Sequence, residues 1–305
     1  MTHPHPLHLL DGGMGRELLR RGAPFAQPEW SALALIQAPA TVQDVHAAYI
    51  AAGAETLTTN SYALVPFHIG EERFRARAGE LAALAGKLAR QAVKKSGKTV
   101  HIAGSLLPLF GSYRPDLFDP ARAAEIARPL IDGQAPYVDY WLAETQSSIA
   151  EVRALHALTA RDRPFWASFT LEDEPPTEPP RLRSGETVAE AVAAALELKL
   201  DALLFNCSHP EAMTAALQTA RAALDAAGST MRLGVYANAF AAHGAEEEAL
   251  PANDGLDEIR TDLTPAAYLD WAKRWRAAGA DIIGGCCGVG PEHIAALAAW
   301  RAQNA

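Results

Sequence analysis

The sequence contains little cysteine, with three residues among 305. Three thiols cannot all pair, and the neighbours Cys286 and Cys287 would bridge each other only with strain, so a disulfide framework is not expected. Basic residues are also scarce. The formal net charge of -9 disfavours nucleic acid and anionic membranes as partners. These absences predict a cytoplasmic protein of a reducing compartment.

Long apolar runs are absent as well. Glycine, proline or a charged residue interrupts each run before the roughly 20 residues that a membrane span needs. The first residues, "MTHPHPLHLLDGG", lack the positive region and the long apolar core of a signal peptide. We therefore expect neither a targeting segment nor a membrane partner. The hydrophobic fraction of 49% is nevertheless enough for a full core.

One alternation runs from end to end: a short apolar run, then a longer amphipathic stretch rich in alanine and leucine. The predicted strands are 7–13, 55–62, 99–108, 138–145, 164–172, 202–208, 232–240 and 280–287. The predicted helices are 41–52, 74–95, 120–133, 147–160, 187–199, 210–226, 264–277 and 291–302. The strand candidates are almost continuously apolar, as is typical of parallel strands that are covered on both faces.

Eight such units in about 300 residues predict an α/β fold, a single (β/α)8 TIM barrel over 1–305. An open doubly wound sheet is the alternative, but "DGGMGREL" after the first strand matches neither the dinucleotide-binding nor the P-loop pattern. Two long loops, 172–186 and 241–262, follow strands five and seven. They leave the end of the barrel that carries active sites, so they are either solvated connectors or substrate loops.

All three cysteines fall at that same end of the predicted barrel. Cys207 ends strand six, and Cys286 and Cys287 end strand eight. Three thiolates with one exchangeable position suit Zn²⁺, and the flanking glycines allow both neighbouring side chains to point at one ion. Two other readings stay open. The thiols are buried apolar side chains, or they form a redox pair, although usual dithiol sites have two intervening residues.

The motifs "LLDGGMGREL", "TTNSY", "ET" after strand four, "FNCSHPE" and "GGCCGVGPEHI" together resemble the homocysteine S-methyltransferase family over about residues 9–302. The resemblance implies a TIM barrel with Zn²⁺ held at the C-terminal rim by Cys207, Cys286 and Cys287. It also implies transfer of a methyl group from a small onium donor to the zinc-bound thiolate of homocysteine, giving methionine. S-methylmethionine or S-adenosylmethionine is favoured, because the sequence lacks the long C-terminal extension of the betaine enzyme and has no cobalamin or folate module.

The resemblance also gives roles to rim residues. Asp11 and Glu144 would anchor the amino group of homocysteine and orient the amino acid for catalysis. Tyr62 matches a family tyrosine beside the donor pocket, where its ring face would attract an onium cation. Asn206 and Asn238 are further substrate-binding candidates, although "YANAF" departs from the family's "YPNSG" at Asn238. Structural readings stay open: a turn cap for Asp11, a loop ion pair for Glu144, and plain packing or backbone contacts for Tyr62 and Asn206.

Other functions stay open beside this one. The same chemistry would serve another small thiol, such as a selenocysteine-derived acceptor, or a betaine-type donor. A non-catalytic zinc-binding or thiol-binding protein is a further alternative, but a zinc store has no need of rim carboxylates to orient an amino acid. A metal-dependent hydrolase is disfavoured, because hydrolytic zinc sites usually use histidine and carboxylate ligands. The expected partners are small molecules, and a homo-oligomer is left open.

Overall fold

A computed structural model describes residues 5–241 and 258–304. Within them the chain forms one parallel sheet of eight strands in the order β1-β8-β7-β6-β5-β4-β3-β2. The strands are His8–Leu9 (β1), Thr56–Thr58 (β2), His101–Leu106 (β3), Tyr140–Gln146 (β4), Phe165–Phe169 (β5), Ala202–Asn206 (β6), Arg232–Tyr236 (β7) and Ile282–Ile283 (β8).

The two outer strands of this order meet and close the sheet. Leu10 forms a parallel bridge with Thr56. The Glu55 amide donates to the Leu9 carbonyl at 2.8 Å, and the Asp11 amide donates to the Thr56 carbonyl at 3.0 Å. The predicted TIM barrel is therefore confirmed, and the open doubly wound sheet is excluded. The assignment of all of 1–305 to one domain stays a prediction.

Helices surround the barrel. They are Met14–Arg20 (α1), Ser31–Gln37 (α2), Pro39–Ala52 (α3), Pro66–Ile69 (α4), Glu71–Ser96 (α5), Ala123–Gln134 (α6), Ile149–Leu158 (α7), Val188–Leu198 (α8), Pro210–Ala226 (α9), Pro265–Ala277 (α10) and Pro291–Gln303 (α11). The eight predicted helices are all present. The sequence did not predict α1, α2 and α4, which are short and begin without a side-chain cap.

The barrel interior is filled rather than hollow. A buried apolar cluster occupies it, formed by Leu10, Ala103, Tyr140, Leu142, Trp166, Ala202, Leu204, Tyr236 and Ile282. Tyr140 and Trp166 stack with their ring centroids 4.2 Å apart, and the Tyr140 hydroxyl donates to Thr56 Oγ1 at 2.7 Å. A second, larger core lies between the strands and the helices. Because both strand faces are buried, the strands carry continuous apolar runs, and polar chemistry is left to the rim.

The two long loops differ in how they can be described. Loop 172–186 lies on the rim, where Leu171 bridges Leu182 and Leu182 is completely buried. The loop is therefore packed at Asp173 and Leu182, whereas residues 174–176 and 178–179 are exposed to solvent. Most of loop 241–262 lies outside the described residues; beyond that gap, Ile259 bridges Phe240. In the described part of the chain, no helix has both the length and the apolar character needed to cross a membrane.

Candidate active site at the barrel rim

A cavity opens at the C-terminal ends of the strands. Six of the predicted site residues line it: Asp11, Tyr62, Glu144, Cys207, Cys286 and Cys287. Aromatic side chains form much of the remaining wall: Phe25, Trp30, Tyr113, Tyr236 and Phe240. The barrel thus brings together thiols, carboxyl groups and aromatic rings from positions that are far apart in the sequence.

The cysteines reach the cavity because the chain leaves the sheet just before each of them. Cys207 directly follows β6 and has a φ of 46°, which turns the chain at this point. Cys286 lies three residues beyond β8, and its amide donates to the Ala237 carbonyl at 2.9 Å. The predicted strand eight was therefore too long. Gly13 packs tightly here: a Cβ at Gly13 would lie 2.5 Å from the Cys286 carbonyl oxygen.

The structure joins Cys207 and Cys286 in a disulfide, with their Cα atoms 5.9 Å apart, while Cys287 stays outside it. The sequence did not predict this single pairing, which arises because barrel closure brings two distant thiols into contact. Within residues 5–241 and 258–304 no three histidine, cysteine or acidic side chains are arranged to hold a metal ion. The donor set nonetheless fits zinc after reduction, since three sulfurs line one cavity with room for a fourth ligand.

Asp11 is a buried carboxyl group at the end of β1, with 5% of the residue exposed. Its Oδ2 accepts from the Thr58 amide at 2.8 Å, and its Oδ1 accepts from the Thr58 hydroxyl at 3.0 Å. Burial raises the pKa of Asp11 to about 8, although both Thr58 hydrogen bonds act to lower it. A turn cap alone does not explain Asp11, because its acceptor oxygens are directed at β2 rather than at its own turn.

Glu144 is a second buried carboxyl group, on β4. Its Oε1 accepts a short hydrogen bond from the Ser105 hydroxyl, and its Oε2 accepts from the Tyr236 hydroxyl at 3.5 Å. Burial raises the pKa of Glu144 to about 7, and the charge of Glu144 in turn contributes to the raised pKa of Asp11. The two carboxyl groups therefore share one region of the cavity, where a cationic group would stabilise their ionised forms.

Tyr62 forms part of the aromatic wall, and its hydroxyl hydrogen-bonds Ser112 Oγ at 2.7 Å. Burial raises the pKa of Tyr62 above its ordinary value, so the phenol remains neutral at physiological pH. A neutral aromatic ring in a cavity with two carboxyl groups provides the surroundings that attract an onium cation.

Asn206 and Asn238 do not line the cavity. Asn206 is completely buried; its Nδ2 donates to Thr145 Oγ1 at 2.9 Å, and its Oδ1 accepts from the Thr145 amide at 2.9 Å and from Ser168 Oγ at 2.7 Å. Asn238 Oδ1 accepts from the Phe240 amide at 3.4 Å. Both asparagines thus support the rim backbone, and direct substrate contact by them remains a prediction.

Sequence reasoning missed several side chains that contact the predicted carboxyl groups. Thr58, Ser105 and Tyr236 hold Asp11 or Glu144, and none of them was singled out. One signal was available for two of them. Ser105 and Tyr236 are hydrogen-bonding residues near the C-terminal ends of apolar strands, where a barrel places functional groups.

Comparison with known proteins gives a consistent result. The sequence profile of the family described as homocysteine S-methyltransferase matches residues 8–300. The homocysteine S-methyltransferase of Escherichia coli K12 is 32% identical over 95% of this chain and 94% of that protein. The crystal structure of the homocysteine methyltransferase MmuM from Escherichia coli, in its metallated form, covers 97% of both chains at 29% identity with a TM-score of 0.76. The selenocysteine Se-methyltransferase of Brassica oleracea is 25% identical over 95% of this chain and 87% of that protein.

Proposed function

The chain belongs to the homocysteine S-methyltransferase family, and we propose that it transfers a methyl group from a small onium donor to the sulfur of homocysteine, forming methionine. The observation that carries the proposal is the cavity, in which two buried carboxyl groups, three cysteine sulfurs and an aromatic wall face one another. S-methylmethionine and S-adenosylmethionine are the favoured donors, since each presents a methyl group on a sulfonium sulfur.

Asp11 and Glu144 bind the ammonium group of homocysteine in this proposal. Their pKa values of about 8 and about 7 belong to a cavity without a bound cation. An ammonium group between them lowers both pKa values and draws both side chains into the ionised form. Thr58, Ser105 and Tyr236 fix the carboxylate oxygens, so the amino acid is held in one orientation with its thiol toward the cysteines.

Cys207, Cys286 and Cys287, once reduced, are the residues that would hold zinc, which when bound supplies the Lewis acidity that keeps the acceptor sulfur deprotonated. Thr145 Oγ1 lies 3.7 Å from Cys207 Sγ and donates to it, so this sulfur is positioned by its neighbours. Because these three thiols would carry the metal, the carboxyl groups stay available for the substrate.

The aromatic wall holds the donor. Tyr62 and the rings around it surround the positive sulfonium with aromatic faces rather than with a direct ion pair, which leaves the methyl group exposed to the acceptor sulfur. In the transfer the acceptor sulfur–methyl bond forms as the donor sulfur–methyl bond breaks, and the electron pair of that bond returns to the donor sulfur. The sulfonium thereby leaves as a neutral thioether, and the walls restrict water from competing for the methyl group.

A second acceptor remains a candidate. A selenol or another small thiol offers the same soft nucleophile, and the similarity to a selenocysteine Se-methyltransferase favours testing it. A cytoplasmic location, small-molecule partners and the absence of nucleic-acid binding remain predictions alongside this proposal.

The experiment is a screen of donors against acceptors with the reduced protein after its zinc content has been measured. We expect about one zinc per chain and methionine formation from homocysteine with at least one sulfonium donor. A chelated sample with zinc restored is the matched control. A zinc-replete protein that methylates none of homocysteine, selenocysteine or other small thiols would support a non-catalytic zinc protein instead.

A further inference from the structure

Tyr113 is a residue of the aromatic wall that sequence reasoning did not single out. It lies in the loop after β3, where its φ of 62° is unusual for a residue with a side chain. Its neighbour Ser112 hydrogen-bonds the Tyr62 hydroxyl, so one loop both presents Tyr113 and fixes Tyr62. Burial raises the pKa of the Tyr62 and Tyr113 hydroxyl groups above the ordinary value, and the charge of Cys287 adds to both shifts. Both rings line the same cavity as Cys287.

Loop 172–186 reaches this ring from outside the cavity. The guanidinium carbon of Arg183 lies 4.7 Å from the centroid of the Tyr113 ring. Tyr113 lines the cavity and Arg183 does not, so the ring is the member of this pair that a ligand in the cavity would contact. A positive charge without a counter-ion in this position would reduce the negative electrostatic potential at the ring face that a cationic ligand contacts.

Asp173 compensates that charge. Its side chain is 2% exposed, and its Oδ1 accepts from Arg183 Nη2 at 2.6 Å. Its Oδ2 accepts from the His209 amide at 2.7 Å, two residues beyond Cys207. The Leu171 amide, directly before the loop, also donates to Ser208 Oγ at 2.9 Å. The start of the loop is therefore hydrogen-bonded to both residues that follow Cys207.

From this arrangement we propose that Tyr113 is a second binding residue for the methyl donor's onium group, and that Asp173 and Arg183 are positioning residues that hold its ring in place without adding net charge behind it. This inference deepens the proposed function and rests on it. It assigns loop 172–186, which sequence reasoning left open, to donor recognition rather than to the acceptor.

The charge balance gives a specific order among variants. Tyr113→Leu removes the ring and Tyr113→Phe keeps it, so we expect the dissociation constant of S-methylmethionine to rise about tenfold in the first and to stay within about twofold in the second. Arg183→Met removes the guanidinium that packs on the ring, while the Asp173 carboxylate left unpaired favours a cation, so donor binding should weaken only modestly. Asp173→Asn leaves the guanidinium uncompensated against the ring, and should weaken donor binding more than Arg183→Met does.

The test is calorimetric titration of the reduced, zinc-loaded protein with S-methylmethionine, together with the KM of each substrate and the zinc content of every variant. Arg181→Met, in the same loop, removes a side chain that donates to the Gly185 carbonyl at 2.6 Å; it is the matched control and should bind the donor as the wild type does. The KM for homocysteine should move less than about twofold in the Tyr113 and Arg183 variants. Asp173→Asn also disturbs the hydrogen bond to the His209 amide near Cys207, and this change could release zinc. In that case Tyr113→Leu and Arg183→Met, which keep this hydrogen bond, still test whether Tyr113 binds the donor.

Two results would overturn the inference. Tyr113→Leu with wild-type donor affinity removes the binding role, and equal rises in both KM values in Arg183→Met mean that the loop is merely structural. A wild type that binds zinc but transfers no methyl group from any sulfonium donor refutes the proposed function instead. A wild type that turns over while Tyr113→Leu binds the donor normally refutes this inference alone.

Discussion

Glu144→Gln tests how a buried carboxyl group at the rim makes the free energy of unfolding depend on pH. The amide has almost the same shape, and its oxygen still accepts from Ser105. The Tyr236 hydroxyl, which donates to the carboxylate, is able to accept from the new amide nitrogen instead. The substitution therefore removes the titrating charge while it preserves packing and hydrogen bonding.

The sign of the effect follows from the raised pKa. The pKa of Glu144 rises from 4.5 to about 7 on folding, so the folded state holds this proton more tightly than the unfolded state does. The resulting stabilisation is complete below about pH 4.5 and is lost as the pH rises through 7. Between pH 5 and pH 8 the wild type should lose about 2–3 kcal/mol of unfolding free energy through this residue, and the glutamine variant should not.

The assay is urea unfolding of the reduced, metal-free wild type and Glu144→Gln at pH 5 and pH 8. Titrating groups that do not feel the charge of Glu144 cancel between the two proteins, whereas Asp11, whose pKa that charge helps to raise, titrates at a lower pH in the variant. The quantity of interest is the change in the free-energy difference between the two proteins with pH. We expect the variant to gain on the wild type by about 2–3 kcal/mol from pH 5 to pH 8. A difference that stays constant within about 0.5 kcal/mol, the usual tolerance for additivity, would refute the argument that burial raises this pKa.

Further outcomes test the cysteines and the second carboxyl group. Cys207→Ser and Cys286→Ala should each abolish zinc retention, measured by elemental analysis, together with activity; full activity in either would show that the ligand assignment is wrong. The oxidised protein should bind no zinc until a reductant opens the Cys207–Cys286 disulfide, so uptake that is independent of reductant would contradict the shared use of these sulfurs. Asp11→Asn should raise the KM for homocysteine about tenfold or more, by loss of a charged hydrogen bond, while zinc stays bound. Loss of zinc from Asp11→Asn would instead place Asp11 in the metal site.

Much of this architecture follows from local pattern. The continuous apolar runs predicted the strands of the barrel because parallel strands are covered on both faces, and the amphipathic stretches predicted the helices between them. The placement of Cys207 and Cys286 at the ends of strands six and eight was enough to predict that they share one rim, and the cavity confirms it. The strand ends were less predictable, since Cys286 still packs against the apolar barrel interior after the chain has left the sheet.

The sequence by itself therefore determined the fold, the rim and the set of thiols and carboxyl groups, since these depend on periodicity and on which end of each strand a residue occupies. Only the tertiary structure decided which side chains meet there. The pairing of Cys207 with Cys286 and the contact of Arg183 with Tyr113 join positions that are 79 and 70 residues apart. Such contacts depend on barrel closure, loop course and side-chain rotamer, and no local spacing in the sequence encodes these.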